Sequence, residues 1–551
     1  MATVYVNGKP VDIGSERLNC VQAAERAGVL IPHYCYHAAL SVVASCRMCL
    51  VEFGEMKDGK PVWQPRVVPG CQTPVKDGTV IVTNSEKAKR AQAETLEGLL
   101  INHPLDCPVC DKAGECKLQD YSYEFGYAKS RMIDEKNQPP NKPDLSEKIT
   151  LFTDRCIMCT RCVRFTREIA GTAELQVINR GHHTEIDVFP GEPLANKLSG
   201  NVVDLCPVGA LGSKDFLYKQ RVWYLKSEQS VCPDCSTGCS VEVDTNKDVV
   251  FRLRPRFNPQ AQGHFMCDEG RWGYHYINDK DRFARPQLRD GGQLGPVPWA
   301  RILPEIRKDF AEAARHGAEG VWGVFSPFLT VEEAFLLAKY LKGLSGSVRL
   351  ALGAVPVVGA DDTYPKDRRG NPPPADQVKF TIRAEKCPNR RGVEAVLRHF
   401  QGEVIPFAHV SEAAGRGAAQ AVFLTAGYSR QNWLPEADAA QLAKVPLLLT
   451  IDFFAFPATA PAKYVLPATA FAEKEGTFVN HANLAQDLRR CARPPQECRS
   501  EGQVFADLLE RRGLLRAMDV RRELAAEIPY FVPLAEGVGK FGIKLPTVNG
   551  Q

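Results

Sequence analysis

Residues 154–165 read DRCIMCTRCVRF, and residues 201–209 read NVVDLCPVG. Cys156, Cys159 and Cys162 stand two residues apart, and Cys206, followed by Pro207, offers a fourth thiol from another segment. Thiolates hold an iron–sulfur cluster when three or four sulfurs converge, and short loops achieve this with C-x2-C spacing plus one distant ligand. In the two-cluster pattern C-x2-C-x2-C-x3-C-P the fourth cysteine serves the other cluster. Here Thr166 stands in its place, and the second half keeps only its Cys-Pro. The stretch therefore predicts a small domain with a single [4Fe–4S] cluster on Cys156, Cys159, Cys162 and Cys206.

Three further groups lie on either side. Upstream, HPLDCPVCDKAGEC carries His103-x3-Cys107-x2-Cys110-x5-Cys116, which by its residues is as acceptable for zinc as for a cluster. In a cluster, the neutral imidazole would remove one negative charge from the ligand set and raise the reduction potential. Nearer the start, HYCYHAALSVVASCRMCLVE carries Cys35-x10-Cys46-x2-Cys49, with Cys71 after 21 intervening residues. One loop with three cysteines plus a distant fourth is the logic of a [2Fe–2S] site, with a four-cysteine zinc site as the alternative. Downstream, VCPDCSTGCSVEV carries Cys232-x2-Cys235-x3-Cys239, and Cys267 follows after 27 residues. That spacing suits a [4Fe–4S] cubane or zinc.

These groups absorb fifteen of the 19 cysteines and one histidine. Cys20, Cys387, Cys491 and Cys498 are left over and read as small buried apolar residues. His33 and His37 flank Cys35 but read as loop or surface histidines, because that site already has four cysteines. His182-His183 has no cysteine near it in sequence and reads as structural or solvated.

Composition narrows the class. The chain has 551 residues, 44% hydrophobic and 24% charged, which is ordinary for a soluble protein of three to five domains. Disulfide scaffolds are short and secreted; this chain is long, and MATVYVNGKP has no basic region followed by an apolar core. The longest apolar stretch, 445–462, is broken by Asp452 and three prolines, so no membrane span is expected. A cytosolic setting, where cysteine clusters mean metal or redox chemistry, is the expectation. Lys and Arg number 69 against 65 acidic residues, a balance that does not call for nucleic acid.

Asn7-Gly8 between VYV and KPVDI predicts a hairpin, and CVQAAERAG a helix stopped by Gly28. Thr83 and Glu86 form a capping box before the helical run SEKAKRAQAETLEGLLINH. Residues 129–149, polar and proline-bearing, read as a linker. Beyond about residue 284, the apolar runs GVWGVFS, AVFLTAG and VPLLLTIDFF alternate with helical stretches such as TVEEAFLLAKYLKGL, which Thr330 and Glu333 would cap. Such alternation predicts a doubly wound α/β domain.

In their order and spacing the four groups resemble the family of large iron–sulfur subunits, the G or 75-kDa type, of NADH–quinone oxidoreductase (respiratory complex I). The resemblance covers residues 1–283. It implies a [2Fe–2S] cluster on Cys35, Cys46, Cys49 and Cys71, and [4Fe–4S] clusters on His103, Cys107, Cys110 and Cys116 and on Cys156, Cys159, Cys162 and Cys206. Cys232, Cys235, Cys239 and Cys267 match an additional [4Fe–4S] cluster of some bacterial members, which implies a bacterial-type protein. The segments AKYVLPATAFAEKEGTFVN and CPNRRGVEAV are similar to recurring loops of the molybdopterin-oxidoreductase fold. That C-terminal part is short, and Cys387 is a poor match to a metal ligand, so no molybdenum or pterin is expected.

The implied fold is an α+β and α/β multidomain chain. It comprises a ferredoxin-like (β-grasp) [2Fe–2S] domain over 1–83, a helical histidine-ligated [4Fe–4S] domain over 84–128 and a bacterial-ferredoxin-like [4Fe–4S] domain over 147–222. A molybdopterin-oxidoreductase-type [4Fe–4S] domain over 223–283 and a degenerate molybdopterin-oxidoreductase-like α/β domain over 284–551 follow. The implied role is electron transfer within a translocating respiratory complex, with no catalytic residue in this chain. A flavin- and NADH-binding subunit would be the donor and a downstream iron–sulfur subunit the acceptor, on the cytoplasmic face of the inner membrane. No G-x-G-x-x-G fingerprint sits between a strand and a helix, so NADH is not expected to bind here. The competing readings are the catalytic subunit of a formate dehydrogenase or iron-only hydrogenase, which share the front modules, and a zinc-based structural protein.

Overall fold

The Asn7-Gly8 turn is formed as read. Both residues have positive φ (+49° and +81°), which a two-residue hairpin of matching twist requires. It joins the antiparallel strands Ala2–Val6 and Lys9–Gly14, with Val6 opposite Lys9. In the computed structural model, which describes residues 2–367, 369–429 and 433–547, the strand Thr79–Val82 runs parallel to Ala2–Val6 and antiparallel to Leu50–Lys57. The helix Cys20–Arg26 helps close a core of Val4, Val6, Val21, Ile31, Val51, Phe53 and Ile81. It ends at Ala27, and Gly28 takes the left-handed conformation (φ +70°).

The next helix departs from the sequence reading. It spans Glu86–Leu100, and its N-cap is Ser85, whose Oγ accepts from the Ala88 N–H at 3.2 Å; Thr83 and Glu86 do not form a capping box. Thr83 is held instead by Asn7: its N–H donates to Asn7 Oδ1 and its Oγ1 accepts from Asn7 Nδ2, each at 2.9 Å. The polar stretch 129–149 is fastened down rather than loose. Arg131 pairs with Glu97, and Lys136 donates to the carbonyls of Leu100 and Ile101 at the end of the helix, where a cation favours the dipole.

The chain divides into two compact units, Met1–Tyr224 with Tyr364–Lys379, and Leu225–Thr363 with Phe380–Gln551. The second begins with an antiparallel three-stranded sheet, Lys226–Val231, Ser240–Asn246 and Val249–Pro255. It continues into a seven-stranded sheet in the order Gln293–Pro296, Gln287–Asp290, Tyr464–Pro467, Leu447–Asp452, Ala421–Thr425, Val321–Phe325 and Arg349–Leu352. The last five run parallel. Parallel strands buried on both faces read as unbroken apolar runs, which is why the three central ones were legible. Alternate residues face opposite layers: Val422 and Leu424 pack with Phe407, Val410 and Leu442, while Phe423 meets Phe310, Tyr340 and Phe505. The doubly wound reading holds. Thr330 and Glu333 form the expected capping box of the helix Val331–Leu344.

Two of the quoted loop segments are largely regular. CPNRRGVEAV runs through Asn389 into the helix Arg390–Gln401, and AKYVLPATAFAEKEGTFVN contains the strands Tyr464–Pro467 and Gly476–Val479. Among the described residues no helix is long and apolar enough to cross a membrane.

Candidate metal centres

The first group sits in the loop between the helix Cys20–Arg26 and the strand Leu50–Lys57, with Cys71 beyond that strand. Cys35, Cys49 and Cys71 are buried and Cys46 half-buried. Ala44 and Arg47 adopt left-handed φ (+50° and +56°), winding the chain tightly about Cys46. Backbone N–H groups point at sulfur: Cys35 N–H at Cys46 Sγ (3.4 Å) and Cys71 N–H at Cys49 Sγ (3.5 Å). The thiols hydrogen-bond one another, so Cys35 is held low by Cys46 and Cys71, Cys49 is held low by Cys71, and Cys46 and Cys71 are pushed up in return. All four predicted residues are brought together. His33 and His37 are turned to the backbone, His33 Nδ1 against the Ile31 carbonyl and His37 Nδ1 accepting from the Ala39 N–H.

Cys156, Cys159, Cys162 and Cys206 line one small pocket, walled by Leu151, Ile157, Ile186, Val208 and Leu211, with Arg161 at its edge. Met158 and Thr160, the residues before Cys159 and Arg161, have φ of +51° and +57°. That alternation coils the backbone into a concave nest of N–H groups, the geometry that favours anionic sulfur, and the Met158 N–H donates to Cys156 Sγ at 3.4 Å. Pro207 cannot continue the helix Asn201–Leu205, so Cys206 stands at its end. Burial pushes the Cys156 thiol up to about 12 and that of Cys159 to about 11. Four free thiolates would not survive in so buried a pocket with Arg161 and Arg164 alone beside them; a metal core would supply the remaining compensating charge.

In the third group Cys110 and Cys116 are buried, Cys107 exposed and His103 half-buried. Burial holds His103 down at about 4, helped by Lys136 and Arg155, so its imidazole is neutral at physiological pH. Its Nδ1 is buried with no hydrogen-bond partner. An orphaned, neutral imidazole nitrogen has the chemistry of a metal ligand, and Cys110 faces both Cys107 and Cys116. Cys116 stands at the N-terminus of the helix Lys117–Phe125, where the dipole favours thiolate. A Cβ on Gly209 would lie 2.2 Å from Cys110 Sγ, so the turn that carries Cys206 also seats this group. The Lys117 N–H donates to the Pro207 carbonyl at 3.2 Å, and Arg155 pairs with Asp106 at 2.8 Å.

The fourth group lies in the second unit, each cysteine 4% exposed. Cys232 follows the strand Lys226–Val231, Cys239 leads into Ser240–Asn246, and Cys267 N-caps the helix Asp268–Trp272, accepting from the Gly270 N–H at 3.4 Å. A Cβ on Gly270 would stand 2.7 Å from Cys232 Sγ. Burial, the neighbouring thiols and Asp234 push these thiols well up. The loop is fastened to the α/β body by Asn480 Nδ2 on the Thr237 carbonyl (2.9 Å) and Gln486 Nε2 on the Gly238 carbonyl (2.7 Å).

Among the described residues no three His, Cys, Asp or Glu side chains converge as ligands of one metal ion. Cys20, Cys387, Cys491 and Cys498 are buried, Cys387 against Phe328, Ala426 and Tyr428. His182 and His183 are exposed. Sequence reasoning missed Gly209 and Gly270, whose absent side chains make room for sulfur, and Arg161 and Arg164, buried between the first two groups.

Family models match in the same order. A 2Fe-2S iron-sulfur cluster binding domain covers residues 1–86, the NADH-ubiquinone oxidoreductase-G iron-sulfur binding region 92–131, and the NADH-quinone oxidoreductase subunit 3 ferredoxin-like domain 146–212. A molybdopterin oxidoreductase Fe4S4 domain covers 225–279 and a molybdopterin oxidoreductase domain 401–511. The NADH-quinone oxidoreductase G-type subunit of Rickettsia conorii is 35% identical over 347 residues, 63% of this chain and 50% of that protein. The chain is related to the G-type, or 75-kDa, subunits of NADH-quinone oxidoreductase. The NADH-ubiquinone oxidoreductase 75 kDa subunit of Reclinomonas americana, 34% identical, is covered over 67% of this chain and 51% of its own length. The chain thus spans about half the length of these relatives. A solved chain titled as NAD+-reducing [NiFe]-hydrogenase in the H2-reduced state is 26% identical, with 40% of this chain and 91% of that one covered, at a TM-score of 0.35.

Proposed function

We propose that this chain is the iron–sulfur electron-transfer subunit of an NADH–quinone oxidoreductase, relaying single electrons from a flavin-bearing NADH dehydrogenase subunit towards quinone. One observation carries the reading: three donor groups of the first unit adjoin one another. Arg164 bonds the carbonyls of Cys35 and Cys159, and the Cys206–Gly209 turn joins the Cys156 group to that of His103.

In this reading Cys35, Cys46, Cys49 and Cys71 hold a [2Fe–2S] cluster. His103, Cys107, Cys110 and Cys116, then Cys156, Cys159, Cys162 and Cys206, and finally Cys232, Cys235, Cys239 and Cys267 hold three [4Fe–4S] clusters. Bound there, clusters supply one-electron chemistry with little change of geometry. The chain's own residues keep the sites dry, aim N–H groups at the sulfurs and offer neutral His103 as a ligand. The Cys232 group belongs to the other unit and is the bacterial-type additional site, off the relay. The front domain is of β-grasp type, and the C-terminal α/β domain is a shortened molybdopterin-oxidoreductase relative that serves as scaffold and docking surface, without molybdenum or pterin. The partners are the flavin subunit as donor and a downstream iron–sulfur subunit as acceptor, and the chain sits peripherally on the cytoplasmic face of the inner membrane through the complex.

Cys159→Ala tests the relay. In the assembled complex it should stop NADH-driven quinone reduction while sparing NADH oxidation by an artificial acceptor. Unchanged quinone reduction in an assembled complex that lacks the Cys156 cluster would sink the proposal.

A further inference from the structure

That reading uses the hydrogen bonds of one buried arginine of the first unit and leaves its charge, and that of a second, without a role. Arg161 and Arg164, each 4% exposed, stand three residues apart on the helix Arg161–Phe165. Arg164 Nη2 donates to the carbonyl of Cys35 and, at 3.2 Å, to that of Cys159; its other nitrogens reach the Ser41 carbonyl and Thr160 Oγ1. Arg161 donates to the carbonyls of Tyr36 and Leu205, the neighbours of Cys35 and Cys206, and its Nε is buried without a partner.

Among the described residues neither guanidinium is ion-paired with a carboxylate. The charged or titratable groups facing Arg161 are the thiols of Cys159, Cys206 and Cys35, the like charges of Arg164 and Lys117, the imidazole of His33 and the phenol of Tyr121. A guanidinium stays protonated in proteins, and burying an unpaired charge is strongly unfavourable. Two adjacent buried cations, with Lys117 as a third positive charge nearby and no carboxylate paired to either, need a nearby anion. A thiolate-ligated cluster is one, since four thiolates outweigh the charge of its core in both the oxidised and the reduced state.

We propose that Arg161 and Arg164 are a shared counter-charge for the [2Fe–2S] cluster and the Cys156 [4Fe–4S] cluster, positioning residues that fix the gap between them and raise both potentials together. The proposal rests on the cluster reading above. One electron enters a cluster on reduction and no bond of the chain breaks; the fixed cations favour the reduced form at each site. Arginines serving only to satisfy carbonyls would leave the potentials where they are.

The test is an EPR-monitored redox titration of the assembled complex carrying Arg164→Gln or Arg164→Lys, with iron content measured beside it. At the wild-type midpoint, Arg164→Gln should lower the reduced-to-oxidised ratio of both clusters on the order of tenfold, the effect of a lost unit charge about 10 Å away at an effective dielectric near 20. Arg164→Lys, which keeps the charge, should restore most of it. Should Arg164→Gln fail to load its clusters, Arg161→Gln, which leaves the Cys35 and Cys159 carbonyls bonded, is read the same way. Loaded clusters with unmoved ratios, a shift in one cluster alone, or Arg164→Lys shifting as far as Arg164→Gln would overturn the proposal. A wild-type complex without a binuclear signal would instead refute the cluster reading, so the two failures are distinguishable.

Discussion

Gly209 shows how much a single missing methyl group can decide. Cys110 Sγ occupies the space where a Cβ would sit, at 2.2 Å, and the same turn presents Cys206 to the neighbouring site. Gly209→Ala should therefore displace Cys110, with a loss of about four irons per chain and of the His103-site signal, while the binuclear signal persists. Iron analysis with EPR checks it. Asp452 is a second such residue. It is 4% exposed at the end of the strand Leu447–Asp452, accepting from Trp433 Nε1 at 2.9 Å, and burial pushes its carboxyl up to about 7. Unfolded, it would titrate near 3.9, so between about pH 4 and 7 the folded form binds the extra proton. Its contribution is full below about pH 4 and is lost as pH rises through 7. Asp452→Asn should flatten that fall, on the order of 2–4 kcal/mol, in urea midpoints compared at pH 5 and pH 8.

At the scale of elements, the start of the helix Glu86–Leu100 separates sequence pattern from tertiary context. Ser85→Ala should cost about 1 kcal/mol through the lost cap. Thr83→Ala should lengthen no helix and instead loosen the Asn7 hairpin turn; far-ultraviolet circular dichroism and denaturation curves of the two variants distinguish them. Thr83 and Glu86 satisfied the capping pattern, but the choice between caps two residues apart was made by Asn7, far away in sequence. The Thr330–Glu333 box needed no such arbiter, and it formed as read. Cysteine spacing was legible because C-x2-C puts sulfurs on one turn whatever surrounds it, and the parallel strands because burial on both faces leaves unbroken apolar runs. Arg161 and Arg164 were not legible as a bridge, since the far ends of it, the carbonyls of Tyr36, Cys35, Ser41 and Leu205, lie in segments more than 40 residues away. Asp452, in the sequence an interruption of an apolar run, is a buried carboxyl whose Trp433 partner no spacing rule reveals.

At the scale of the whole molecule, the uneven placement of 19 cysteines has a physical division behind it. The first unit gathers three adjoining donor groups about buried arginines, and the second places one group against a doubly wound body whose leftover cysteines are buried. Such an arrangement fits one-electron relay, and nothing in it requires zinc's single-ion convergence. The most direct measurement is metal and sulfide analysis of the intact protein, purified without oxygen, together with EPR of its reduced form. The account predicts a brown protein with about 14 irons per chain, one binuclear and three tetranuclear signals. A colourless protein with four zincs and no reducible signal would contradict it.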